Sequence, residues 1–166
     1  MHRLIKVISG GQTGVDQAAL RAAEDSGLEI GGWCPPGRLC EAGVIPAEFP
    51  LRETPEERSP DAPGVPRSQR TEWNVRDSDG TLVLVAPSLG EAQPRDAGTE
   101  WAMECAARYG KPLLICDVGD PEAADKTRQW IAANSIETLS VGGPSESTAP
   151  GIGDRAYGWL RDVFKL

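Results

Sequence analysis

The strongest constraint on this chain is its first βα turn. An apolar run from Leu4 to Ile8 leads into Ser9-Gly10-Gly11-Gln12-Thr13-Gly14-Val15-Asp16, and a helix stripe of Val15, Ala18, Ala19, Ala22 and Ala23 follows. A short strand that turns through glycine straight into an amphipathic helix is the opening half of a βαβ unit. Glycine leaves no Cβ to obstruct a ligand, while the helix start presents unpaired N–H groups and positive dipole density. The loop therefore suits a phosphate or another oxyanion, with Gly10, Gly11, Gln12, Thr13, Gly14 and Asp16 as candidate contacts. Thr13-x-x-Asp16 also fits a helix capping box, and Asp16 repels a phosphate unless it is itself paired.

The same alternation continues along the chain. Strand-like segments fall at Leu4–Ser9, Glu29–Trp33, Thr81–Ala86, Pro112–Cys116 and Glu137–Val141. Helical stripes separate most of them: Ala102, Cys105, Ala106 and Tyr109; a segment opening at Asp120-Pro121; and a last one carrying Ile152, Ala156, Trp159, Leu160, Val163 and Phe164. Right-handed βαβ units of this kind build a mainly parallel sheet covered on both faces. The expected fold is α/β, a Rossmann-like three-layer sandwich with five strands in the order 2-1-3-4-5. The first helix is expected on one face and the later helices mostly on the other. Ligands in such sheets bind beyond the carboxyl ends of the strands, here at the switch between strands one and three.

The 166 residues suffice for one domain, 1–166, with a real core. One stretch departs from the pattern. Between residues 46 and 69 the chain carries Pro46, Pro50, Pro55, Pro60, Pro63 and Pro66 among many charges. That composition predicts a surface excursion or a lid rather than a regular element.

A net charge of −8 argues against bulk binding to nucleic acid or to an anionic membrane, but leaves room for a local anion site. No apolar run approaches the ~18 residues of a membrane span, and no leader pattern is evident, so a cytoplasmic location is expected. The four cysteines, Cys34, Cys40, Cys105 and Cys116, lack CxxC spacing and read as reduced thiols. Neither zinc nor haem is expected. His2 is the only histidine, which argues against a Ser-His-Asp triad and a multi-histidine metal centre.

Two further loops are expected to reach the same sheet edge. The second runs from Ala86 to Asp96 and on to Gly98 and Thr99, where Thr99 is a natural N-cap and Gly98 permits close approach. The third, Gly142-Gly143-Pro144-Ser145-Glu146-Ser147, offers Gly143 and Ser145, although plain turn chemistry explains such residues as well. Beyond strand two, Trp33 suits stacking on a base and Arg38 suits a bidentate phosphate contact, against the alternative of a core tryptophan and a surface arginine. Arg70, Asn74 and Asp77 share one helix face and form a candidate site wall.

The strings Ser9-Gly10-Gly11-Gln12-Thr13-Gly14-Val15-Asp16, Gly32-Trp33-Cys34-Pro35, Pro50-Leu51-Arg52-Glu53-Thr54, Arg70 through Gly80, and Gly143-Pro144-Ser145-Glu146-Ser147 with Pro150-Gly151-Ile152 resemble the molybdenum-carrier family. This is the circularly permuted YpsA-type branch of the SLOG superfamily, and the resemblance covers nearly the whole chain. It implies a Rossmann-like fold, a homo-oligomer (dimer or tetramer) and a site at the glycine loops. The carrier name implies a small phosphate-bearing ligand, the molybdenum cofactor, or molybdate. The wider superfamily implies nucleotide-derived ligands instead, and includes enzymes that cleave N-glycosidic bonds of ribotides. For an enzyme of that kind the candidate acids or bases here are Glu72, Asp77 and Glu104. Those enzymes place a glutamate three residues after their loop threonine, where this chain has Ala102, with Glu104 two further on.

Overall fold

A computed structural model describes residues 3–87 and 97–165. Its first unit is β1 (Lys6–Ile8), α1 (Val15–Asp25) and β2 (Glu29–Gly31). Four two-residue strands follow: β3 (Trp33–Cys34), β4 (Leu39–Cys40), β5 (Gly43–Val44) and β6 (Arg52–Glu53). The rest of the chain is α2 (Ser68–Arg76), β7 (Gly80–Val85), α3 (Ala97–Arg108), β8 (Leu113–Asp117), α4 (Ala123–Ala133), β9 (Thr138–Gly142) and α5 (Ile152–Val163). The predicted second strand is interrupted: the chain leaves the main sheet at Gly32, and β3 pairs with β6 instead. Helix α3 begins at Ala97, so Thr99 lies inside it rather than capping it.

The main sheet is parallel throughout, in the order β2-β1-β9-β7-β8. The predicted order is corrected at one point. The last strand, β9, inserts between β1 and β7, pairing Val7 with Leu139 on one side and Leu82 with Val141 on the other. Counted from β9, the five strands run 3-2-1-4-5, the order of a doubly wound nucleotide-binding sheet. The chain is therefore a circular permutation of that arrangement, and its switch point lies between β9 and β7.

Alternation along the strands sorts the helices. Val7, Leu82, Leu84, Leu139 and Val141 pack into one core with the alanines of α1, with Ala124 and Ile131 of α4, and with Ile152, Ala156, Leu160 and Val163 of α5. On the other face α2 packs on α3, where Val75 meets Trp101, Cys105 and Ala106. The expected split of helices is thus corrected: α1, α4 and α5 share a face, and α2 and α3 take the other. Residues Thr81, Val83 and Ser140 point toward that second face, where they line a hollow rather than a packed core.

The proline-rich segment lies largely at the surface but is anchored by a few buried side chains. Phe49 and Leu51 are buried with Ile45, Leu20 and Cys34 in a second small core, and Ala62 joins the α2–α3 core. Proline lacks an N–H, so such a segment holds more carbonyl acceptors than donors. Arg38 supplies the difference. Its guanidinium donates to the carbonyls of Leu51 at 3.0 Å, Pro46 at 3.0 Å and Phe49 at 2.9 Å. Further along, Ser68 Oγ accepts from the Ser59 amide at 2.8 Å, and Gln69 Oε1 from the Glu56 amide at 2.8 Å. Among the described residues, no helix is long and apolar enough to cross a membrane.

Candidate functional site

The first and third loops are pressed together where α1 begins. Gly14 holds the N-cap position at φ 81°, and a Cβ there would lie 2.5 Å from the Pro144 carbonyl oxygen. That same oxygen accepts the Val15 amide at 3.2 Å. Thr13 is not the cap. Its hydroxyl donates to the Glu41 carboxylate and accepts the Glu146 amide at 3.2 Å. Asp16 instead reaches back to accept the Gln12 amide at 3.2 Å. The Gln12 side-chain oxygen takes the amides of Thr13 at 3.0 Å and Glu41 at 2.9 Å. Gly11 faces the small core, where a Cβ would collide with Leu51 and Ile45. Several amides of the first turn are therefore bound by the protein's own groups, a correction to its reading as an open cradle.

Beside this seam, at the β9–β7 switch point, lies a hollow of about 360 Å³. Gly10, Gln12, Asp16, Arg70 and Asn74 line one side. Gly98 and Thr99 from α3, and Gly143 and Ser145 from the third loop, line the other. The structure thus gathers nine of the fifteen predicted contacts. Residues 88–96, which complete the second loop and include Arg95 and Asp96, lie outside the described residues.

Charge in the hollow is organised by one buried pair. Arg70 Nη1 donates to Asp16 Oδ2 at 2.9 Å, with side-chain exposures of 14% and 7%. Burial pushes the Asp16 carboxyl above its ordinary range, and the Arg70 guanidinium opposes that shift. Arg70 Nε remains without a hydrogen-bond partner, as does Thr81 Oγ1 on the sheet face. Of the three buried side-chain polar atoms so orphaned among the described residues, two belong to this hollow. Buried polar atoms are nearly always paired, so two exceptions on residues lining one hollow stand out.

Arg67 and Glu41 also line the hollow, and the sequence singled out neither. Arg67 sits at the rim in left-handed backbone at φ 57°, and its guanidinium makes no ion pair among the described residues. A positive φ on a non-glycine residue beside a hollow was the signal, and it is visible only in three dimensions. For Glu41, burial raises the carboxyl pKa, but hydrogen bonds from Ser147 and Thr13 outweigh it and hold the group below its ordinary value.

Six predicted contacts do not line the hollow: Gly11, Thr13 and Gly14 of the first turn, and Trp33, Arg38 and Asp77. Arg38 is spent on the three carbonyls already described. Trp33 lies in a separate cluster, its indole N–H donating to Asp77 Oδ2 at 2.7 Å and its ring edge-on to Trp73 at 4.9 Å. Asp77 is bound there, and by Arg76 Nε at 2.8 Å. Asn74 touches the hollow, but its amide clamps the Trp33 backbone, accepting at 2.9 Å and donating at 3.0 Å. Nor do the candidate acids reach it. Glu72 accepts from Ser59 at 2.5 Å and Tyr109 at 2.8 Å, and Glu104 pairs with Arg108 at 2.9 Å. Among the described residues no group of three or more His, Cys, Asp or Glu is placed to hold a metal ion.

The Trp33–Asp77 contact yields a pH prediction. The Arg76 hydrogen bond, against the opposing effect of burial and with help from Trp33, holds the Asp77 carboxyl below its ordinary value. A lowered folded pKa contributes stability above the unfolded value of about 3.9, and that contribution is lost as pH falls through the folded one. Acidification below about pH 3.9 is expected to change tryptophan fluorescence as the indole loses its acceptor, and Asp77→Asn is expected to remove that transition. A transition that survives in Asp77→Asn would locate it elsewhere.

The strand order counted from β9, with a polar hollow at the switch point, defines a circularly permuted doubly wound α/β protein. The comparisons agree. The model of the circularly permutated YpsA SLOG family matches residues 7–164, and the chain belongs to that family. A crystal structure of a putative molybdenum carrier protein from Syntrophus aciditrophicus SB is similar over 99% of this chain and 97% of that one, with 34% identity and a TM-score of 0.85. No curated protein sequence matches the chain.

Proposed function

We propose that this protein binds a small phosphate-bearing molecule in the β9–β7 hollow and acts as a carrier, not a catalyst. The observation that carries the reading is the pair of orphaned atoms, Arg70 Nε and Thr81 Oγ1, in a hollow that Arg67 also lines. At about 360 Å³ the space falls within the range of small-molecule pockets, about 300–1,000 Å³. Guanidinium groups suit a phosphate, while the buried hydroxyl and the Nε–H suit the hydrogen-bonding edge of a nitrogen heterocycle. A nucleotide derivative and the molybdenum cofactor share both chemical parts. The similar protein named as a molybdenum carrier favours the second as cargo. The three carboxylates weighed for catalysis are all engaged elsewhere, which favours carriage over turnover.

Thermal unfolding across a panel of nucleoside phosphates, ADP-ribose and the molybdenum cofactor tests this reading. A ligand present at ~100 times its Kd adds about 2.7 kcal/mol of stability. Sustained release of free base from any nucleotide would replace the carrier reading with the enzymatic one. Thr81→Val is expected to separate the ligand's contribution from that of the fold. Removing a buried, unpartnered hydroxyl in favour of an isosteric methyl should raise the stability of the free protein by about 1 kcal/mol. The same change should weaken the response to the stabilising ligand. A variant that binds as tightly as the wild type would take Thr81 out of the site.

A further inference from the structure

We infer that the Glu41 carboxylate occupies the seat of an incoming oxyanion, at the seam between the first and third loops, and that a bound phosphate or carboxylate group displaces it. The inference rests on the binding reading above and assigns one end of the ligand within it.

Three donors from two loops converge on this carboxylate. The Ser147 amide donates to Oε1 at 3.1 Å, the Ser147 hydroxyl to Oε2 at 2.5 Å, and the Thr13 hydroxyl to Oε1. Backbone N–H and hydroxyl donors arranged in this way on two oxygens would serve a phosphate or carboxylate equally well. Nothing about the fold requires an acid there. Glu41 makes no ion pair among the described residues, and residues 41–44 are all exposed. The β4–β5 hairpin that carries it leaves Leu39 54% and Val44 69% accessible, so no large core holds the tip in place. Release does not even require the hairpin to move. The Glu41 amide stays on the Gln12 side-chain oxygen at 2.9 Å while the exposed side chain changes rotamer and frees Ser147 and Thr13. An independent observation ties the seat to a ligand: Glu41 and Ser147 line the hollow that contains the unpartnered Arg70 Nε and the unpartnered hydroxyl of Thr81, which is 2% exposed. A phosphate held at the seam would project the rest of its molecule toward those atoms.

Orthophosphate alone is the probe, titrated into the full chain by calorimetry or by phosphorus NMR line broadening. Glu41→Ala is expected to bind it about tenfold more tightly than the wild type, because the internal competitor and its charge are gone. Glu41→Gln, which keeps a neutral acceptor, should show a smaller gain. Ser147→Ala in the Glu41→Ala background should reduce the gain, because it removes the hydroxyl contact of the seat while the Ser147 amide remains. Unchanged or weaker phosphate binding in Glu41→Ala, with unfolding like the wild type, overturns the assignment. A gain undiminished without the Ser147 hydroxyl also overturns it, because phosphate then binds elsewhere. Orthophosphate reads the seam, whereas the ligand panel and Thr81→Val read the deeper hollow. The two proposals can therefore fail separately.

Discussion

Arg70→Met is expected to cost about 3–5 kcal/mol in stability, the usual result of stranding one partner of a buried ion pair. The Asp16 carboxylate is 7% exposed and would keep the Gln12 amide at 3.2 Å and the Ser9 hydroxyl, but no positive charge. The sign of the pH dependence follows from the direction of its shift. Burial already raises the Asp16 pKa, and loss of the opposing guanidinium raises it further. A folded-state pKa above the unfolded one favours folding below the unfolded value, and that advantage disappears as pH rises through the folded one. Arg70→Met should therefore lie nearest the wild type in acid and fall furthest behind near neutrality. Adding Asp16→Asn removes the stranded charge and should recover much of the loss, because the pair acts as a unit. Urea unfolding of the wild type, Arg70→Met, Asp16→Asn and the double variant at two pH values checks this. Arg70→Met within about 1 kcal/mol of the wild type at neutral pH would show that the buried pair does not carry that stability.

Gly14→Ala is the second large effect, with an expected loss of about 3 kcal/mol. Left-handed backbone costs a residue with a Cβ roughly 1–2 kcal/mol. Overpacking adds about 1–3 kcal/mol, since the new atom would meet the Pro144 carbonyl at 2.5 Å and the Glu146 amide nitrogen at 2.9 Å. Both obstacles are backbone and cannot rotate away. The expected response is a separation of the first and third loops, which breaks the Val15–Pro144 hydrogen bond and widens the seam that Thr13 and Ser147 close. Faster exchange of the Val15 amide and a lower unfolding midpoint would report it. A variant as stable as the wild type would mean that the loops do not rely on this close approach.

Much of the core was legible locally. The final helix stripe of Ile152, Ala156, Trp159, Leu160, Val163 and Phe164 is wholly buried, as its spacing required. The apolar run in β7 is buried through Leu84. What misled was the partner of each group. The order 2-1-3-4-5 put β9 at the edge of the sheet, yet its Ser140 lines a hollow in the middle. The prolines of 46–69 pointed to a surface excursion or a lid, but nothing nearby in sequence revealed that Arg38 would take three of its carbonyls.

The amino-acid order alone determined the alternation of strand and helix, the glycine turns at the sheet edge and the apolar faces. Those features follow from backbone geometry over a few consecutive residues. Only the tertiary structure decided that β9 lies at the centre, that Asp16 is matched by Arg70, and that Glu41 closes the seam. Glu41 meets Thr13 and Ser147 across 28 and 106 positions of chain. Contacts at such separations depend on how the faces pack against one another, and no local period records that.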